Sequence, residues 1–140
     1  QGWSAQSNQK GEWLQVDLQT PQYVAGVVTQ GRADFPQYVT KYKIALGNEV
    51  GTLEYVQCGY QGDCIFGGND NSVDTKRYHT FSPQRARYVR FVIEAWSGHV
   101  SMRVAVLLTN EKCCSLCSAG TYKNGTGSAP CEACGEGKYA

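Results

Sequence analysis

A few short stretches carry the side chains best suited to contact chemistry. Trp96-Ser97-Gly98-His99 places an indole, a hydroxyl and an imidazole within one short loop. An aromatic face suits the apolar side of a pyranose ring, and an imidazole can donate to or accept from hydroxyls. Arg32 follows Thr29-Gln30-Gly31 and precedes Asp34 and Phe35. Its guanidinium fork suits sugar hydroxyls or a partner's carboxylate, and the plainer alternative is an arginine pinning its own loop through Asp34. Phe35 is either an exposed tip for a membrane or protein groove, or ordinary packing. Trp96 has core packing as its own alternative, because tryptophan at strand ends is mostly buried. Tyr60 and Gln61 lie between Cys58 and Cys64, whose spacing closes a small disulfide loop that would rigidify the tip.

Catalytic chemistry finds no such support. His79 and His99 have no serine or aspartate in motif spacing, and neither paired carboxylates nor a phosphate-cradling loop occurs. Asn69, Asp70, Asn71, Asp74 and Thr75 form an oxygen-rich run. It lacks the alternating ligands and closing glutamate of an EF-hand, which leaves a structural calcium or an Asx-rich turn capped by its own side chains. Asp17 stands in an apolar strand, so an internal ion pair with Arg87, Arg90 or Arg103 is expected. Cys114-x-x-Cys117 and Cys131-x-x-Cys134 match a zinc-ribbon spacing, with disulfides as the alternative.

The chain has 140 residues, enough for one domain with a real core plus something small. A net charge of +1, with Lys and Arg scattered, excludes the electrostatic footprint of a nucleic-acid binder. No apolar run approaches the ~20 residues of a membrane-spanning helix. The chain opens on Gln1 rather than methionine, the start expected of a mature or excised piece. Seven cysteines, five of them from Cys113 onward, and the sequon Asn124-Gly125-Thr126 favour an oxidising, extracellular setting and glycosylation at Asn124. An odd count requires a partner cysteine elsewhere.

The elements that position these residues read as β-strands. Ala86 to Leu108 reads as two strands joined at Trp96–His99. In the first, both alternating sets hold apolar residues, so a central strand covered on both faces is expected. Trp13–Leu18 alternates with Leu14, Val16 and Leu18 on one face and ends at Thr20-Pro21. Tyr23–Gln30 is a second strand, with Ala25 and Gly26 where a neighbour presses close. Tyr38–Leu46, a strand near Leu53–Gln57 and a short one at Tyr78–Phe81 follow, the last ending at Ser82-Pro83-Gln84. Phe66 to Asn71 reads as turn. No stretch shows a convincing 3.6 period, so the chain is all-β, a sandwich or jelly roll. The texture changes at Asn110-Glu111-Lys112, which divides residues 1–110 from a tail, 111–140, that needs cross-links or a metal to hold it.

Gly11-Glu12-Trp13-Leu14-Gln15-Val16-Asp17-Leu18, Val27-Val28-Thr29-Gln30-Gly31-Arg32 with Tyr38-Val39-Thr40-Lys41-Tyr42, and Ala86-Arg87-Tyr88-Val89-Arg90-Phe91 with Ser101-Met102-Arg103-Val104 together resemble the discoidin, or coagulation factor V/VIII type C, domain family. The resemblance covers roughly residues 1–108. It implies a galactose-binding-like jelly-roll β-sandwich and a non-catalytic domain whose loops at one end bind sugars, collagen-like proteins or phospholipid head groups. Arg32 falls where the family's binding arginine often stands.

Two departures accompany it. Family members usually begin earlier, with a first strand, a long binding loop and often a cysteine, for which Cys113 would be the natural partner. The glutamate that usually follows Arg-Val in the last strand, and helps hold calcium in sugar-binding relatives, is Ala105 here. The tail, from Cys117 through Cys131 and Cys134 to Tyr139, resembles an ephrin-receptor-like or tumour-necrosis-factor-receptor-like cysteine-rich repeat, which favours disulfides over zinc for Cys113, Cys114, Cys117, Cys131 and Cys134.

The expectation is an extracellular, secreted or cell-surface binding and adhesion module rather than an enzyme. It recognises carbohydrate, a glycoprotein or a matrix protein through Arg32, Asp34, Phe35, Tyr60, Gln61, Trp96 and His99. A structural or targeting appendage of a larger protein is the alternative. Phospholipid binding would call for more exposed apolar tips and basic charge. No cofactor is required, and a structural calcium at Asn69, Asp70 and Asp74 stays open.

Overall fold

The computed structural model describes residues 2–70 and 73–110, with the backbone of 121–122 and 132–133. Strands β1 (Trp3–Ser4), β2 (Trp13–Gln30), β3 (Tyr38–Gly47), β4 (Glu54–Tyr55), β5 (Phe66–Gly67), β6 (Arg77–Ser97) and β7 (Ser101–Thr109) form one antiparallel sheet. Its order is β1-β7-β2-β6-β3-β4, with β5 also on β3. Further along, β8 (Thr121–Tyr122) and β9 (Glu132–Ala133) pair with each other. The fold is an all-β antiparallel jelly-roll sandwich.

The long strands β2 and β6 each serve both layers. Trp13–Asp17 of β2 pairs with Tyr88–Val92, and Gln22–Thr29 pairs with Arg77–Ala86. The first pairing continues into β3 and the second into β7. Val24 and Val27 from one half of β2, and Val89, Phe91 and Ile93 from the opposite half of β6, share one buried cluster with Tyr42, Ile44 and Met102. Both halves therefore face the same core, and the strands turn the corner between layers as sandwich strands do at bulges.

The corner explains two breaks that the sequence suggests and the structure lacks. Pro21 does not end a strand. It falls in the register gap between Asp17 and Gln22, where its missing N–H costs no ladder bond. Pro83 likewise faces the second register shift, between Val24 and Gly26, so β6 runs through Ser82-Pro83-Gln84. Gly26 does meet a close neighbour, because a Cβ there would lie 2.3 Å from the His79 carbonyl oxygen.

Three other expectations are corrected. Phe66-Gly67 is a strand, and Phe66 is core, stacked on Tyr42 with ring centroids 5.7 Å apart. The β6 strand is central but sealed on one face only: Val89, Phe91 and Ile93 are buried, while Tyr88, Arg90 and Val92 are half-exposed. Asp17 does pair with Arg87, at 2.8 and 2.9 Å, but on the surface. With Leu14, Val16 and Leu18 turned inward, alternation sends Asp17 outward.

Cys58 and Cys64 form the expected disulfide, with Cα atoms 4.9 Å apart. The other cysteines, Asn124 and the expected cysteine-rich repeat lie outside the described residues, apart from the backbone of β8 and β9. Among the described residues, no helix is long and apolar enough to cross a membrane.

Candidate functional site

Three connections meet at one end of the sandwich: the β2–β3 loop, the β6–β7 turn and the segment after β5. The β2–β3 loop is fastened at both ends. Gly31 N donates to Val73 O at 2.8 Å, Arg32 N donates to Gln37 O at 2.9 Å, and Gln37 N donates to Phe35 O at 2.7 Å. Arg103 of β7 fastens it from below, donating from Nε to Gly31 O at 2.7 Å and from Nη2 to Val73 O at 3.0 Å.

Arg32 is held by its own loop. Nε and Nη2 donate to the two Asp34 carboxylate oxygens at 2.9 and 3.3 Å, and Nη1 donates to Gln37 Oε1 at 3.2 Å. Its Cζ stands 4.5 Å from the centre of the Phe35 ring, which is 51% exposed. The hydrogen bonds from Arg32 hold the Asp34 carboxyl below its ordinary range. The loop-pinning reading of Arg32 is thus met. The fork is fixed beside an exposed aromatic ring, with N–H directions left over.

Gly98 adopts φ +71° in the β6–β7 turn and lies against the Pro36 carbonyl, so the turn packs onto the Arg32 loop. His99 Nδ1 faces the Val100 carbonyl at 3.2 Å, which assigns the ring hydrogen to Nδ1 and makes Nε2 an acceptor. Ser101 Oγ donates to Gln37 Oε1 at 3.4 Å and lies 3.5 Å from His99 Nδ1. A polar chain therefore runs Arg32–Gln37–Ser101–His99. Ser4 Oγ lies 2.8 Å from Ser101 Oγ, and Asn8 Oδ1 accepts from Val100 N at 2.8 Å.

Arg32, Asp34, Phe35 and His99 are thus brought together, and Gln37, Ser101, Ser4 and Asn8 join them without having been marked in the sequence. No local signal marks Ser4, whose partner is 97 positions away. Trp96 does not join: it pairs with Val39 inside the sheet and packs against the core. Tyr60 and Gln61 do not join either. Their loop is tied to the middle of β3, where Val56 N donates to Ile44 O and Lys43 Nζ to Asp63 Oδ2. Lys43 is about 16 Å along the strand from Tyr38, the residue that pairs with Ser97 at the site. Tyr60 is fully exposed there.

The described residues of the oxygen-rich run have partners within the protein. Asn69 Nδ2 donates to Thr75 O at 2.6 Å, Asp70 accepts from Arg77 at 2.6 Å, and Asp74 accepts from Arg103 at 2.9 Å. Among the described residues no three His, Cys, Asp or Glu side chains converge on one point. Asp70 and Asp74 each face an arginine through one carboxylate oxygen, Oδ2 and Oδ1 respectively.

Residues 1–106 match the family model described as F5/8 type C domain. Lactadherin of Bos taurus is 39% identical over 108 residues, covering 75% of this chain and 25% of lactadherin. The chain thus spans about a quarter of the length of the lactadherins it matches. Discoidin II of Dictyostelium discoideum superposes with a TM-score of 0.67 at 21% identity, over 76% of this chain and 40% of that one. Chitosan-binding module 1 from a chitosanase/glucanase of Paenibacillus sp. IK-5 gives 0.57 at 19% identity, over 76% and 75%. At those identities the two structures speak for the fold.

Proposed function

The chain belongs to the F5/8 type C domain family, and from that membership we propose that it is an extracellular, non-catalytic binding and adhesion module. Its ligand is carbohydrate, free or carried on a glycoprotein or matrix protein. The observation that carries this reading is the polar chain Arg32–Gln37–Ser101–His99, set beside the exposed Phe35 ring.

Each part has a role in holding a sugar. Phe35 offers a flat apolar face to the C–H side of a pyranose. Arg32 donates its remaining N–H groups to ring hydroxyls, and His99 Nε2 accepts a hydrogen bond from another. Gln37 and Ser101 hold both in place before the ligand arrives, which lowers the ordering cost of binding. The sugar contacts proposed here are made by side chains alone, and the EDTA arm below tests whether a metal is also required. The phospholipid reading rests on Phe35 and Arg32 alone and is the lesser one.

A glycan-array screen of the protein and of Arg32→Ala, each with calcium and with EDTA, tests this. Binding that is lost in the variant and indifferent to EDTA is expected. No binding by a folded sample would overturn the carbohydrate reading, and binding to anionic vesicles alone would replace it with the phospholipid one.

A further inference from the structure

The two ring nitrogens of His99 are in unlike positions. Nδ1 is committed to the Val100 carbonyl at 3.2 Å, with Ser101 Oγ 3.5 Å away. Val100 is itself fixed: its N–H donates to Asn8 Oδ1 at 2.8 Å, and its carbonyl accepts from Ala5 N at 2.9 Å. The ring hydrogen therefore stays on Nδ1, and Nε2 has no donor of its own among the described residues.

The other acceptors of the polar chain are in use. Gln37 Oε1 accepts from both Arg32 and Ser101, and the two Asp34 oxygens accept from Arg32. Arg32 brings donors only. A sugar hydroxyl held between the two sides accepts from Arg32 and donates to His99 Nε2. A proton on Nε2 turns that acceptor into a donor and leaves the hydroxyl hydrogen without a partner.

The charge that arrives with this proton has no counter-charge in contact. Among the described residues no carboxylate lies within ion-pairing distance of the half-buried His99 ring. Carboxylates on the surrounding elements are engaged elsewhere: Asp34 with Arg32, Asp74 with Arg103, Glu94 with Lys10, and Glu12 with Ser7 and Gln9. Asp34 keeps its charge on mild acidification, because the hydrogen bonds from Arg32 hold its carboxyl below the ordinary 3.8. The chain's other histidine, His79, has Nε2 2.6 Å from Gly67 O and its ring against Tyr42 and Phe66.

We propose that His99 is a pH sensor that releases saccharide from the loop-end site on mild acidification, an inference that rests on the sugar reading of that site. Imidazole is the side chain that takes up a proton between about pH 8 and 5. The neutral ring is the form that binds, so affinity is full at the upper end of that span and is lost as pH falls.

The glycan-array screen, run with the whole chain at about pH 7.5 and about pH 5, tests this. Calorimetric titration then follows with the strongest hit at the higher pH, as free oligosaccharide. Affinity is expected to fall at least about fivefold at the lower pH. His99→Gln keeps an acceptor and has no titrating group, so it should lose less than about twofold over the same interval. Should that variant bind too weakly to titrate, the NMR titration of the His99 ring in the parent decides. It should move to lower pH when the oligosaccharide is bound, because binding favours the neutral ring. No array signal from a folded sample at the higher pH removes the sugar site and the sensor with it. A signal that is as strong or stronger at the lower pH overturns the sensor alone, as does an unmoved His99 titration. A fall that His99→Gln shares assigns the effect to His79 or another group, and also overturns the proposal.

Discussion

Arg103 donates its Nε hydrogen to the buried carbonyl of Gly31 at 2.7 Å, tying a sheet strand to the loop that carries Arg32. The same side chain also bonds Val73 O and Asp74, so one residue sets the height of two connections at the binding end. Arg103→Ala leaves the Gly31 carbonyl without that donor. We expect a loss of about 1–3 kcal/mol in urea unfolding, with ligand binding weakened in parallel. An unchanged unfolding midpoint would show that the loop holds itself.

The Asp17–Arg87 pair makes a pH prediction. The two hydrogen bonds from Arg87, and one from the Gln19 backbone N–H, bring the Asp17 carboxyl from an ordinary 3.8 down to about 2. The folded-state value is the lower one, so ionised Asp17 stabilises the fold above about pH 4, and that contribution is lost as pH falls towards 2. Asp17→Asn should flatten the stability curve across that window and leave its shape above pH 5 alone. Both side chains are about two-fifths exposed, so added salt should weaken the effect. An identical acid limb in the variant would remove this pair from the account.

The disulfide loop should be separable from the carbohydrate site. Replacing Cys58 and Cys64 together by alanine opens a short loop, with an expected cost of about 2 kcal/mol measured by thermal or urea unfolding. Glycan binding at the Arg32 end should persist, because Tyr60 hangs beside the middle of β3. Binding lost while the fold is retained would bring the Tyr60 loop back into the site.

Within the core, Phe91 is fully buried and packs against Tyr42, with ring centroids 5.7 Å apart. Phe91→Ala should cost about 3–5 kcal/mol, read as a drop in unfolding midpoint. A cost below about 1 kcal/mol would mean that the two layers do not depend on one shared core.

Much of this architecture was legible in local pattern. Alternation marked Leu14, Val16 and Leu18, and the β6–β7 pair stood out by its β-branched and aromatic content. Prolines misled, because Pro21 and Pro83 sit at register shifts that only the pairing of β2 with β6 creates. Phe66 looked like turn because Gly67, Gly68 and Asn69 surround it, yet its ring belongs to the core. At the site, Arg32, Asp34 and Phe35 were readable because they adjoin one another. Gln37 and Ser101 were not, since their meeting depends on the β2–β3 loop and the β6–β7 turn arriving at one place. Trp96 and Tyr60 were marked for their chemistry, and the sheet sends the first to the core and the second to the side.

The central claim is that two connections far apart in sequence form one sugar site. A double-mutant cycle tests it, measuring affinity for an array-selected glycan in the parent, Arg32→Ala, His99→Ala and the double variant by calorimetric titration. The account predicts that each single change weakens binding about tenfold or more, and that the double change costs less than the sum, because both side chains act on one ligand through a shared Gln37–Ser101 support. Parent-like affinity in either single variant, with the fold intact, would contradict it.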